Sequence, residues 1–102
     1  MTARPTHPGE RTARDADGNM LREWDGVVLL RALAPTARGN CETMPAEIPA
    51  GVRATAIALL DPEAGLFDLE CYLDGDLYAF AHGVGADLRV VERIEEKKTV
   101  EI

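Results

Sequence analysis

Apolar and polar positions alternate most regularly between residues 66 and 74. Phe67, Leu69, Cys71 and Leu73 fall on one side of this run, and Asp68, Glu70, Tyr72 and Asp74 on the other. That is the two-residue period of a strand with one buried face. Asp74-Gly75-Asp76 then gives a tight hairpin signal. Residues 77–84 return as a second strand, with Leu77, Ala79 and Ala81 on one face and Tyr78, Phe80 and His82 on the other. Gly85-Ala86-Asp87 makes a short turn, and residues 88–94 read as a closing strand.

Upstream, Asp25-Gly26 turns into a β-rich run over residues 27–33, apolar on both faces apart from Arg31. A strand covered from both sides has this pattern, and so does a short buried helix. Pro49-Ala50-Gly51 reverses the chain, with Pro fixing its own φ and Gly tolerating a left-handed backbone. Residues 52–60 follow as a strand rich in alanine, which permits curvature and close approach of an opposite wall.

Five short strands result, joined by one long connection at 34–51 and otherwise by tight turns. Connections so short force antiparallel neighbours. A five-stranded sheet in so small a chain buries a wide face and its edges by bending into a barrel. The expected fold is therefore all-β, a five-stranded antiparallel barrel over residues 20–96. Residues 1–19, with almost nothing that can pack, are expected as a flexible tail, disordered or ordered by a partner. Residues 97–102 are expected as a charged C-terminal tail.

Composition narrows this picture. The 102 residues suit one small domain, and with aromatic content at 5% the core must come mainly from Val, Leu, Ile and Ala. No apolar run approaches the roughly 20 residues that span a bilayer, and the N-terminal segment lacks the apolar middle of a secretion signal. A cytoplasmic protein without membrane contact is expected. The net charge of −7 is unevenly spread. Residues 54–88 carry Asp61, Glu63, Asp68, Glu70, Asp74, Asp76 and Asp87 but no Lys or Arg. Such a surface repels phosphate backbones, so nucleic acid is not an expected partner. It suits a protein with a basic patch, or serves solubility alone.

The runs at 25–33, 48–60, 66–83 and 86–91, taken with the order of loops and turns, resemble a family of short uncharacterised bacterial proteins with SH3-like small barrels. In that family a Pro-x-Gly turn precedes a strand, an aromatic-x-Val-Glu-Phe strand follows, and a closing Asp-Leu-Arg-x-Val ends the unit. Here residues 67–72 occupy the aromatic strand, with Glu70 kept and Tyr72 in place of Phe, while Ala54 stands where a second glycine is usual. A more distant similarity runs to the barrel of nitrile hydratase β subunits and to their small activator proteins. The resemblance implies the barrel and covers about residues 25–93. It carries over no metal ligand.

Candidate chemistry is sparse. His82 is the one histidine the fold would place, either as a proton carrier or metal ligand or simply as a strand-end residue at the rim. Cys71 reads as a small buried hydrophobe. Cys41, in a polar loop, is expected to be exposed and reactive. A bridge between the two is disfavoured in a reducing compartment. No nucleophile-and-base pair and no phosphate-cradling loop occurs, so no catalytic residue, metal site or cofactor is assigned and an enzyme is not expected. Exposed aromatics rimmed by charge concentrate binding energy. The expected partner-binding residues are Trp24, Asp68, Glu70, Tyr72, Asp74, Asp76 and Tyr78, while Phe80 either joins them or fills the core. Two functions follow from different classes. One is an accessory, regulatory or immunity-like interaction module for a larger basic protein. The other is a metal-delivery or activator subunit using Cys41 or His82.

Overall fold

The structure is a computed structural model that describes residues 12–93. Its strands are β1 (Thr12–Arg14), β2 (Met20–Arg22), β3 (Gly26–Leu29), β4 (Pro35–Ala37), β5 (Arg53–Asp61), β6 (Leu66–Tyr72), β7 (Tyr78–Val84) and β8 (Leu88–Glu92). A single turn of 3-10 helix, Gly85–Asp87, joins β7 to β8. The architecture is all-β, as the alternating pattern requires. β1 and β2 form an antiparallel pair, and the remaining strands make one antiparallel sheet in the order β4-β7-β6-β5-β3-β8.

The five strands read from the pattern correspond to β3, β5, β6, β7 and β8. Strand number and closure differ from the expectation. The long connection contributes β4, so the main sheet has six strands, and no pairing among the described residues joins β4 to β8. The physical reason lies in how each edge is satisfied. The outer edge of β7 is taken by β4, through Pro35 opposite Ala81 and Ala37 opposite Phe80. The outer edge of β8 is taken by the turn of the β1–β2 hairpin. There Ala16 N–H donates to the Leu88 carbonyl at 2.9 Å, and Val90 N–H donates to Asp15 Oδ2 at 2.9 Å. The outer edges of β7 and β8 are thus occupied by other segments of the chain rather than by each other.

That hairpin also corrects the reading of residues 1–19 as a tail, as far as they are described. From Thr12 onward the chain pairs in register, Thr12 with Arg22 and Arg14 with Met20. Ala13 packs against the core. Asp15, 5% exposed, closes the turn by accepting from Asp17 N–H and Asn19 N–H. The remainder of the expected N-terminal tail, and the C-terminal tail at 97–102, lie outside the described residues.

The inward face follows sequence parity. Val27 and Leu29, Phe67, Leu69 and Cys71, Ala79 and Ala81, and Leu88 are all buried. Burying each of the Val, Leu and Phe side chains among these contributes roughly 1.5–3 kcal/mol, and each alanine less. β5 buries Ala54, Ala56 and Leu59, so its spacing lengthens from two residues to three. The register shift between Ala56 and Ala58 accounts for this, and a second follows between Leu59 and Asp61. A bulge of this type frees a backbone donor from the ladder. Leu59 N–H is instead taken up by Glu23 Oε2 at 2.7 Å. The first strand, expected over 27–33, stops at Leu29. Leu29 N–H bonds to the Val52 carbonyl, and Gly51, at φ 92°, returns its own N–H to Leu29.

Candidate functional site

β6 and β7 pair without interruption from Leu66 opposite Val84 to Tyr72 opposite Tyr78. Their inward residues are small or aliphatic, apart from Phe67, so the outward residues carry the chemistry. Reading outward across the pair, Asp68 faces His82, Glu70 faces Phe80, and Tyr72 faces Tyr78. On the next strand Thr55 pairs with Glu70. Sequence parity thus brings four expected site residues, Asp68, Glu70, Tyr72 and Tyr78, onto one face. Asp74 and Asp76 stand beside them, exposed in the hairpin loop that joins the two strands.

The polar atoms of this face form a short chain. Tyr72 Oη donates to Glu70 Oε1 at 2.9 Å. A phenol has one proton to give, so the 2.6 Å contact between Thr55 Oγ1 and Tyr72 Oη has the threonine as donor. Burial raises the Tyr72 phenol above its ordinary range. The bond from Thr55 opposes this, and the bond to Glu70 and its charge add to it. Tyr78 and Phe80 pack edge to face, with centroids 5.7 Å apart and planes at 84°. Phe80 is therefore a half-buried member of the outer face rather than a core residue. Its parity with Tyr78 and His82 is the sequence signal that places it there.

Asp68 and His82 approach to 3.9 Å, and Asp87 meets Arg31 at 3.8 Å. Among the described residues Asp61, Glu63, Glu70, Asp74 and Asp76 have no cationic partner. Among the described residues the stretch without Lys or Arg is therefore largely uncompensated. It does have a border. Arg53, the residue just before it, pairs with Val28 on the outer face and precedes the Ala54–Cys71 pair, which sets it beside Tyr72.

Trp24 is not part of this face. It lies in the turn between β2 and β3, beyond the other edge of β5, where its N–H bonds to the Ala56 carbonyl. It is 57% exposed and is the one non-glycine residue with positive φ among those described, at 76°. A bulky side chain in that region is an outlier.

The long loop, 38–51, supplies what the sequence reading missed. Asn40 clamps the loop to the β6–β7 hairpin. Its Nδ2 donates to the Asp76 carbonyl at 2.9 Å, and its Oδ1 accepts from Tyr78 N–H at 2.7 Å. Its own N–H bonds to the Tyr78 carbonyl. Gly39, at φ 57°, allows this approach, since a Cβ there would stand 2.2 Å from the Tyr78 oxygen. Arg38 secures the loop from within by donating to the Cys41 carbonyl at 2.6 Å.

Cys41, expected to be exposed, is only 7% exposed, because this clamp turns it inward against the Tyr78 carbonyl. His82 is four residues further along β7, about 13 Å at strand rise, so the two do not meet. Cys71 is fully buried, and burial together with the charges of Asp68 and Glu70 pushes its thiol up to about 12. Neither cysteine is in a disulfide. Among the described residues no three His, Cys, Asp or Glu side chains converge as a metal-binding group. A groove of about 360 Å³ between the N-terminal hairpin and the β5–β6 turn is lined mainly by small residues such as Ala13, Ala64 and Gly65. No family model matches this chain, and no curated protein or solved structure matches it.

Proposed function

We propose that this chain is a small SH3-like barrel acting as a non-catalytic interaction module, an accessory or regulatory subunit that docks its acidic β6–β7 face on a larger, basic protein. The observation that carries the reading is the outer face itself. Tyr72, Tyr78 and Phe80 share one surface with Asp68 and Glu70, and Asp74 and Asp76 stand at its end. Aromatic side chains at the centre of a charged rim are the usual carriers of interface energy. The order β8-β3-β5-β6-β7 supports the barrel plan, because the first of the five expected strands lies between the second and the last, followed by a meander.

The test is affinity capture from an extract of the native host, with the full chain and its Glu70→Lys variant side by side. The wild-type chain is expected to retain a stoichiometric basic protein at low salt and release it at about 0.5 M salt, where screening is nearly complete within a few ångströms. The variant is expected to retain none. A wild-type chain with no stoichiometric partner, or a partner held equally by the variant, overturns the reading.

A further inference from the structure

We propose that the β6–β7 face recognises an arginine side chain of that partner, its guanidinium lying on the rings of Tyr72, Tyr78 or Phe80 and forked onto Glu70. The inference rests on the docking function above and names the group it reads.

Glu70 occupies the middle of this face. Phe80 is directly across from it and Tyr72 is two residues along its own strand, while Tyr78 is opposite Tyr72. Directly opposed side chains in a sheet have Cβ atoms about 5 Å apart and diagonal ones about 7 Å. Aromatic residues thus lie within side-chain reach of the carboxylate toward β7 and the hairpin end, while Thr55 and Asp68 flank it on the other sides. Of its two oxygens, Oε1 accepts from Tyr72. Oε2 has no hydrogen-bond partner among the described residues.

Aromatic ring faces are the negative ends of the ring quadrupole. A carboxylate among them adds negative potential to negative potential, and a cation relieves both. Among the described residues no cation is paired with Glu70. No Lys or Arg occurs from residue 54 to 88, and the neighbouring Arg53 makes no ion pair among the described residues. His82 is engaged with Asp68 one pair further along. The edge-to-face contact of Tyr78 and Phe80 uses the face of one of the two rings, and both side chains remain half-buried rather than covered.

Guanidinium fits this site better than ammonium. It is planar, it stacks on rings, and its paired N–H groups match a carboxylate fork, whereas an ammonium is a compact and strongly hydrated point charge. Tyr72 preorganises the acceptor by holding one Glu70 oxygen while its ring remains on the surface, 42% exposed.

Titration of the full chain with three blocked pentapeptides, alternating glycine with arginine, lysine or citrulline, tests this by calorimetry and amide NMR. The arginine peptide is expected to move the resonances of Glu70, Tyr72, Tyr78 and Phe80 and to bind about 5-fold tighter than the lysine peptide. Citrulline, which keeps the shape and loses the charge, is expected to abolish binding. Glu70→Gln is expected to weaken the arginine peptide about 5-fold with no change in the native fold. Equal binding of arginine and lysine, retention of citrulline, or shifts confined to other surfaces overturns the assignment. If the wild-type chain still captures a basic partner while these peptides fail to discriminate, the arginine site is wrong and the docking function survives.

Discussion

Replacing Asn40 with alanine isolates the link between the long loop and the candidate face. The side chain makes two hydrogen bonds to the β6–β7 hairpin, one to the Asp76 carbonyl and one from Tyr78 N–H. A hydrogen bond contributes about 0.5–1.5 kcal/mol net, and both of these are accessible to water, so their joint loss costs about 1–2 kcal/mol. In urea that lowers the unfolding midpoint by roughly 1 M for a domain of this size. The loss is local, so a second consequence follows. Cys41 is buried only while the loop is clamped against Tyr78. Opening made easier by about 1.4 kcal/mol exposes its thiol about tenfold more often. Ellman's reagent, used on a Cys71→Ala background, reads this directly. Asn40→Asp sharpens the test, since it keeps an acceptor for Tyr78 N–H but turns a second oxygen toward the Asp76 carbonyl. It is expected to be at least as harmful as alanine. An Asn40→Ala chain with an unchanged urea midpoint and no faster labelling of Cys41 would show that the clamp contributes nothing.

Three further outcomes are expected. Asp15 experiences burial, which raises its pKa, but the N–H bonds from Val90, Asn19 and Asp17 outweigh this and hold it below 3.8. Its stabilisation is therefore complete above about pH 4 and is lost as pH falls through the lowered folded value. Asp15→Asn should unfold more easily at pH 7 and lose part of the acid dependence, as followed by circular dichroism from pH 6 to 2. Cys71, pushed up to about 12, should resist thiolate-directed reagents at pH 8 in the native protein and react on unfolding, as mass spectrometry would show. At Trp24, with φ 76°, glycine should give a protein about 1 kcal/mol more stable than alanine does, because only glycine adopts that backbone without a Cβ penalty. Equal melting temperatures for the two variants would refute the strain.

Much of the site could be read before folding was considered. Asp68, Glu70 and Tyr72 share a strand face by parity, and the Asp74-Gly75-Asp76 turn returns the chain so that Tyr78 and Phe80 meet them. The sequence groups Trp24 with them because aromaticity and exposure carry no information about which edge of the sheet a turn occupies. The burial of Cys41 is hidden in the sequence for a related reason. A polar loop reads as solvated until a distant hairpin offers it carbonyls and N–H groups to bind.

The sequence by itself determined five of the six strands of the main sheet, most of their inward and outward faces, the turns at Gly51 and Gly75, and a stretch without Lys or Arg. These are properties of neighbours along the chain, where a two-residue period and a turn residue act within a few bonds. Only the tertiary structure decided how the edges end. Asp15 bonds across 75 residues to Val90, Glu23 across 36 to Leu59, and Asn40 across 38 to Tyr78. Each is a short polar side chain that replaces a missing strand partner. Its acceptor or donor is an ordinary backbone group until the fold leaves that group unpaired, so no local pattern marks the residue in advance.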